Sequence, residues 1–441
     1  MKKTVKIAGL LCAISLFCAF LVSSYNFLSG YGGMKHRIVE DPNVSGKACE
    51  VSHIYDKETK RIRIPRKMFG YKVIGIGDGT FAGCNNLTNI KVRNGIRYIG
   101  SMGFAHCEKL ATVKLPDSVT ELHNHAFYNC PSLTQIQLSD SVTRIDHAAF
   151  QFCSSLPSID LPQSLTYIGE WAFSECSSLE SIVIPDSVTE LGNWSFNMCT
   201  SLKSVAFGES IETIGARSFS GCTSLEHIEF PEDMTINMDD GKMGLYIGDG
   251  AFSGCTSLKS VVIPDGVGVL GTGAFEFCTS LTDVTLGNDL FLLEHGLFYG
   301  CTSLESITLP DIAYDITITM FYGCTSLKNV DFGDGVYAIN ESAFEECTSL
   351  EHLVLPDDVK TIDDRAFKNC TALTDITIPA ATYEIDSLAF SGCSSLTSIH
   401  YTGSKEQWQS ILFGTDWDLD TADYTVYCTD GTLVKGELVA D

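Results

Sequence analysis

Apolar residues recur along this chain in fixed columns. The cysteines set the ruler: Cys84, Cys107, Cys130, Cys153, Cys176, Cys199 and Cys222 are each 23 residues apart. After one gap of 33 the ruler resumes at Cys255, Cys278, Cys301, Cys324, Cys347, Cys370 and Cys393. Each of these fourteen cysteines has Phe three residues before it and Leu three residues after. Numbered from the cysteine, further apolar columns stand at −8 (Ile76, Ile99, Leu122), at +6 and +8 (Ile182, Ile184) and near +12 (Val188). Positions +6 and +8 alternate with polar residues, which predicts a short strand with one face buried. Ala-Phe-x-x-Cys-x-x-Leu has apolar spacing of three to four, which suits a single helical turn. Pro or Gly after the strand, followed by Asp-Ser or Asp-Gly, marks a turn that ends pairing. Each unit therefore predicts a strand, a turn, a second short extended piece ending at Ile-Gly, and a helical turn. No such unit buries its inner face alone. Stacked units share one core, with strands in a parallel ladder about 4.8 Å apart. The expectation is a right-handed solenoid of 23-residue coils, with a parallel β-sheet on one face and short helical turns opposite.

Leu-x-x-Ile-x-Ile-Pro and Ile-Gly-x-x-Ala-Phe-x-x-Cys resemble the BspA-like class of bacterial leucine-rich repeats, over roughly residues 62–401. The resemblance implies a leucine-rich-repeat solenoid that is secreted or displayed at the surface, in some cases as an adhesin for host proteins. It implies no catalytic residues.

Outside the columns the chain divides as follows. Residues 1–24 carry Lys2, Lys3 and Lys6, the apolar run Ile7–Val22 and Ser23-Ser24. They are expected to be an export signal, or else an uncleaved anchor running on through Tyr25, Phe27 and Leu28. Residues 25–75 form a loose entry segment and a cap, with Ile62-x-Ile64-Pro65 as a degenerate first strand. The cap is basic: Lys57, Lys60, Arg61, Arg63, Arg66, Lys67 and Lys72. Those charges blunt the edge of the first coil, or give a foothold on an anionic envelope polymer or acidic partner. The repeat blocks are 76–232 and 245–401, separated by an inserted loop at 233–244. Residues 402–441 close the last coil, with Trp408 and Trp417 over its core and Val426–Cys428 as a final strand.

Net charge is −26. A surface so acidic repels nucleic acid and anionic membranes, so membrane contact is expected only through an uncleaved N-terminal segment. Fourteen of the 18 cysteines share one inward column, and stacked side chains point the same way. They are expected to be buried, reduced thiols acting as small apolar fillers. The 23-residue spacing without Cys-x-x-Cys, and the want of a spaced ligand set around His106, His123, His125 and His147, argue against a metal. No cofactor is expected. The chain has no His-Glu-x-x-His, no Gly-x-Ser-x-Gly and no phosphate-cradling glycine loop, so it is not expected to be an enzyme.

Two groups are candidate partner-binding residues. The outward strand positions +5 and +7 are mostly Ser, Thr, Asn and Asp, with His227, Glu229, Asp283, Asp331, His352 and Asp375 among them. They would line an extended face suited to a protein or glycan, or be simply solvated. Trp171 and Trp194 share position −5 in adjacent coils, with His125 and Arg217 in the same column and Tyr128 and Phe152 nearby. Stacked indoles about 5 Å apart would form an apolar patch, or pack flat against neighbouring turns. The expected function is an exported, non-catalytic binding protein, secreted or on the cell surface, acting as an adhesin for an extracellular protein or glycan. The alternative is a structural surface component that self-associates.

Overall fold

In the computed structural model, which describes residues 33–40, 46–231, 244–311, 313–333 and 335–435, the repeat columns become ladders. The export-signal segment and nearly all of the inserted loop lie outside the described residues. The chain forms two units, residues 1–155 and 156–441, and each is a parallel β-solenoid with almost no helix.

Among its described residues the first unit has ten strands: β1 (Met34–Val39), β2 (Ala48–Ile54), β3 (Lys67–Met68), β4 (Tyr71–Ile76), β5 (Asn89–Lys91), β6 (Tyr98–Ile99), β7 (Thr112–Lys114), β8 (Glu121–Leu122), β9 (Gln135–Gln137) and β10 (Arg144–Ile145). The three-residue strands at +5 to +7 stack β5-β7-β9, and the strands ending at position −8 stack β4-β6-β8-β10. Successive strands pair with a shift of 23 residues, so each side chain sits over its column-mate. This is the physical content of the sequence ruler.

The entry segment differs from the loose run expected. β1 and β2 pair antiparallel, and β2 continues in parallel onto β4. They cover the edge that the first coil would otherwise leave unpaired. Glu50 of β2 is buried, with Arg37 Nε at 2.6 Å and Tyr98 Oη donating to it at 2.7 Å. The close approach of the Tyr98 ring leaves no room for a Cβ at Gly75. Ile62–Pro65 makes no strand. Ile64 is buried, and the Arg93 guanidinium holds the segment by donating to Pro65 O at 2.8 Å and Val73 O at 2.9 Å.

In the second unit the same two ladders recur, for example Ser181–Val183, Ser204–Ala206 and His227–Glu229, and Asp315–Ile316, Ala338–Ile339, Thr361–Ile362 and Glu384–Ile385. Trp408, on the helix Lys405–Gln409, is fully buried, and Trp417 meets Phe390 edge-on at 6.0 Å. The final strand Thr425–Cys428 gains an antiparallel partner, Gly431–Val434.

The helical turns are single turns rather than runs of helix. In the coil of Cys176, Ala172, Ser174 and Cys176 donate their N–H back three residues, to Gly169, Trp171 and Phe173. The alternate N–H groups of Trp171, Phe173 and Glu175 leave the turn for Asn193, Ser195 and Asn197 of the next coil, at 2.7–3.0 Å. All six donors from Trp171 to Cys176 are used, half within the coil and half between coils. This alternation puts positions −5 and −1 at positive φ, as in Trp171 (58°) and Glu175 (58°). Glycine takes these places without strain in Gly250 and Gly254.

The core repeats three rows. The second unit stacks Phe173, Phe196, Phe219, Phe252 and their successors to Phe390 at 5.0–6.2 Å between rings. All fourteen ladder cysteines are free and buried. Most donate S–H to the phenylalanine carbonyl of the coil before, as Cys278 does to Phe252 O at 3.3 Å. Burial pushes the thiols of Cys222, Cys278 and Cys324 up to about 12. Cys428 is half-exposed. Burial raises the Cys428 thiol as well, but it alone of these thiols is accessible, so alkylation of the native protein should label Cys428 and spare the buried ladder. Mass spectrometry finding most ladder cysteines oxidised would refute the thiol ladder.

Candidate functional site

The left-handed column at −5 sets the most distinctive surface group. In the second unit Trp171, Trp194 and Arg217 occupy it in three successive coils, at φ 58°, 60° and 53°. The identical backbone of adjacent coils aligns the indoles, whose rings stack at 4.8 Å and 3°. The Arg217 guanidinium lies over Trp194 at 4.9 Å. Both indoles are half-buried and Arg217 is exposed. Face-to-face packing thus covers the ring faces and leaves their edges to solvent, and the guanidinium adds a cation–π contact and free N–H donors. Such an edge can take an aromatic, apolar or hydroxyl-rich partner.

In the first unit His125 holds the same left-handed position (φ 59°). Its ring meets Tyr128 at 5.2 Å and His147 at 5.1 Å, and Tyr128 meets Phe152 edge-on at 5.5 Å. Burial, and then the neighbouring His147, lower the His125 pKa and favour the neutral ring. His106 joins this cluster through Tyr128. His123 does not: it stacks on Tyr98 at 5.4 Å and meets Glu121 Oε2 at 3.0 Å. Among the described residues no three His, Cys, Asp or Glu side chains converge as metal ligands would.

The outward strand residues separate into two sets. His227 and Glu229 are exposed on the strand His227–Glu229, beside Ser204 and Ala206. Asp283, Asp331, His352 and Asp375 sit on later strands. Asp283 and Asp331 line one open groove of about 300 Å³, with Ser306 and Thr308 between them. Asp331 and His352 line another of about 670 Å³, which Asp357 and Asp358 close. His352 Nδ1 contacts Asp375 Oδ2 across the register pair, and Thr374 Oγ1 donates to the same carboxylate at 3.1 Å. The face also displays Val183, Val262 and Val354, each more than 60 % exposed.

Reading the sequence missed that positions −5 and −1 are left-handed, because Trp, Arg, Glu and Phe occupy them as well as Gly. It also missed that Lys91 and Lys114 are partners in register on β5 and β7, although both stand at +7 of adjacent coils.

The comparisons agree with this architecture. The family described as BspA type leucine rich repeat region matches the chain over residues 55–147, 74–203, 120–240, 243–316 and 292–420. Among solved structures, a leucine-rich repeat protein from Bacteroides ovatus is 28 % identical, with a TM-score of 0.61 over 89 % of this chain and 98 % of its own. A leucine rich cell surface protein from Faecalibacterium prausnitzii is 25 % identical, with a TM-score of 0.45 over 86 % of this chain and 96 % of its own. The Treponema pallidum leucine rich repeat protein is 24 % identical, with a TM-score of 0.37 over 56 % of this chain and 87 % of its own. No curated protein sequence matches. Among the described residues no helix is long and apolar enough to cross a membrane. The ladders, their 23-residue register and the match over most of the chain lead to one conclusion: the chain belongs to the BspA-type leucine-rich-repeat family.

Proposed function

We propose that this protein is an exported, non-catalytic binding protein that works at or outside the cell surface as an adhesin for an extracellular protein or glycan. The observation that carries the reading is the Trp171–Trp194–Arg217 stack. A non-glycine residue at this left-handed backbone costs on the order of 1 kcal/mol. Glycine serves the same column in Gly250, Gly273 and Gly296. Folding thus gains nothing conformationally from Trp or Arg here, whereas Trp and Arg are the residues that dominate binding hot spots.

The test is a screen of the protein against arrays of extracellular-matrix proteins and glycans. Trp171→Ala combined with Trp194→Ala should weaken the best hit by at least about 2 kcal/mol, the hot-spot scale, with an unchanged circular-dichroism spectrum. Undiminished affinity in that double variant would sink this reading of the stack. The exposed valines of the strand face favour a second reading, a surface component that self-associates. Concentration-dependent light scattering without any array hit would support that reading in place of the first.

A further inference from the structure

Charge is distributed unequally between the two units. Residues 33–155 carry 16 Lys and Arg against 11 Asp and Glu, whereas residues 156–441 carry 10 against 44. Within the first unit two of these cations share one strand face. Lys91 and Lys114 are partners in the parallel ladder β5–β7, and both are exposed. Parallel strands place them about 4.8 Å apart, and like charges so opposed destabilise a sheet. No carboxylate relieves them: none of the ion pairs found among the described residues involves Lys91, Lys114, Arg61, Arg63 or Arg66.

The segment before β3 extends this row. Arg93, two residues beyond β5, donates to Pro65 O; the exposed Arg66 follows Pro65 directly and the exposed Arg63 stands two residues before it. The other outward positions of the face are Asn89, Thr112, Gln135 and Gln137, all polar. A protein interface of ordinary size needs an apolar, often aromatic centre, and single-stranded nucleic acid needs aromatic stacking platforms. This face offers neither. It offers cations at a regular spacing among amide and hydroxyl groups, the chemistry of a chain of anions carried on sugars.

We propose that the outward strand face of the first unit, with Lys91 and Lys114 at its centre and Arg63 and Arg66 beside them, binds an anionic polysaccharide bearing sulfate or uronate groups. The anions supply the countercharge that the in-register lysine pair lacks. The inference is independent of the tryptophan stack, which lies in the second unit.

The experiment uses the full chain with immobilised heparin as the sulfated probe, polygalacturonate as the uronate probe and dextran as the neutral control. Heparin or polygalacturonate should bind and dextran should not, with affinity falling steeply as salt is raised. Lys91→Gln with Lys114→Gln should weaken binding on the order of tenfold and reduce the salt slope by about two, one for each lost contact. Lys203→Gln with Lys328→Gln, which removes exposed cations of the second unit that face Glu180 and Glu305, should leave binding unchanged. The Trp171/Trp194 variant should also keep it, so failure of the adhesin reading and failure of this one are separable. Equal retention on dextran, or undiminished binding by the Lys91/Lys114 variant, overturns the proposal. Preferential binding of single-stranded DNA overturns it as well. So does self-association that the Lys91/Lys114 substitutions abolish in the absence of polysaccharide binding.

Discussion

Raised from pH 8.5 to pH 10.5 under reducing conditions, the second unit should unfold steeply and release several protons as it does so. Eight of its ladder thiols, Cys199, Cys222, Cys255, Cys278, Cys301, Cys324, Cys347 and Cys370, are pushed up by burial, three of them to about 12 and the others well above the ordinary value. In the unfolded chain each releases its proton near 8.5. Below that pH both states are protonated and the contribution to stability is complete. Above it unfolding releases protons, so stability falls as pH rises and is lost through the folded values. Each thiol removes about 1.4 kcal/mol per pH unit, and eight together on the order of 11 kcal/mol per unit. Whole domains are stable by only about 5–15 kcal/mol, so a midpoint between about pH 9 and 10.5 follows. Circular dichroism against pH, with proton release measured alongside, reads this directly. A second unit still folded at pH 11 would mean that the thiols are not held protonated by the core.

The second large effect is local. Phe252→Ala should destabilise the second unit by about 3–5 kcal/mol, the range for truncating a fully buried phenylalanine. Phe252 stands between Phe219 and Phe275 at 5.4 Å on each side and is completely buried. Its backbone carbonyl also receives the Cys278 thiol. Coils above and below are fixed by their own ladders and cannot collapse into the gap, which puts the cost toward the upper end of that range. Phe277→Ala is the matched control. Phe277 is 47 % exposed and packs against Tyr299 and over Gly300, so its loss should cost under about 1 kcal/mol. Urea titrations of the two variants separate them. Equal costs would show that burial in the ring column does not govern stability.

Much of the fold is legible in the residues because the core is one-dimensional. A phenylalanine at −3 has only its column-mates to pack against, so its periodicity is its structure, and Phe, Cys and Leu announce the coil. Trp408 as a lid is legible for a similar reason: the last core face must be covered, and a large ring after the final repeat is the available cover. The left-handed positions are not legible, because their backbone is set by the alternation of hydrogen bonds within and between coils. That alternation forces positive φ on Trp171 or Glu175 with no glycine to mark it. The pair β1–β2 is hidden for another reason. It stands outside the repeat, and its central contacts, Arg37 and Tyr98 on Glu50, join residues far apart in sequence. The candidate site was half legible. Trp171 and Trp194 share a column and so must stack, but the sequence does not show that Arg217 covers the outer indole face or that His123 turns away from the other histidines.

The hydrogen bonds that join coil to coil, such as Trp171 N–H to Asn193 O, run along the direction of stacking. In mechanical terms the second unit is therefore a zipper, not a sheared sheet. Tension applied between its ends loads one interface at a time, and the terminal coil peels away while its neighbours keep their own cores. Each 23-residue coil that lets go adds on the order of 75 Å of slack chain. A solenoid built this way yields in steps under tension, behaving as an extensible tether instead of a rigid post.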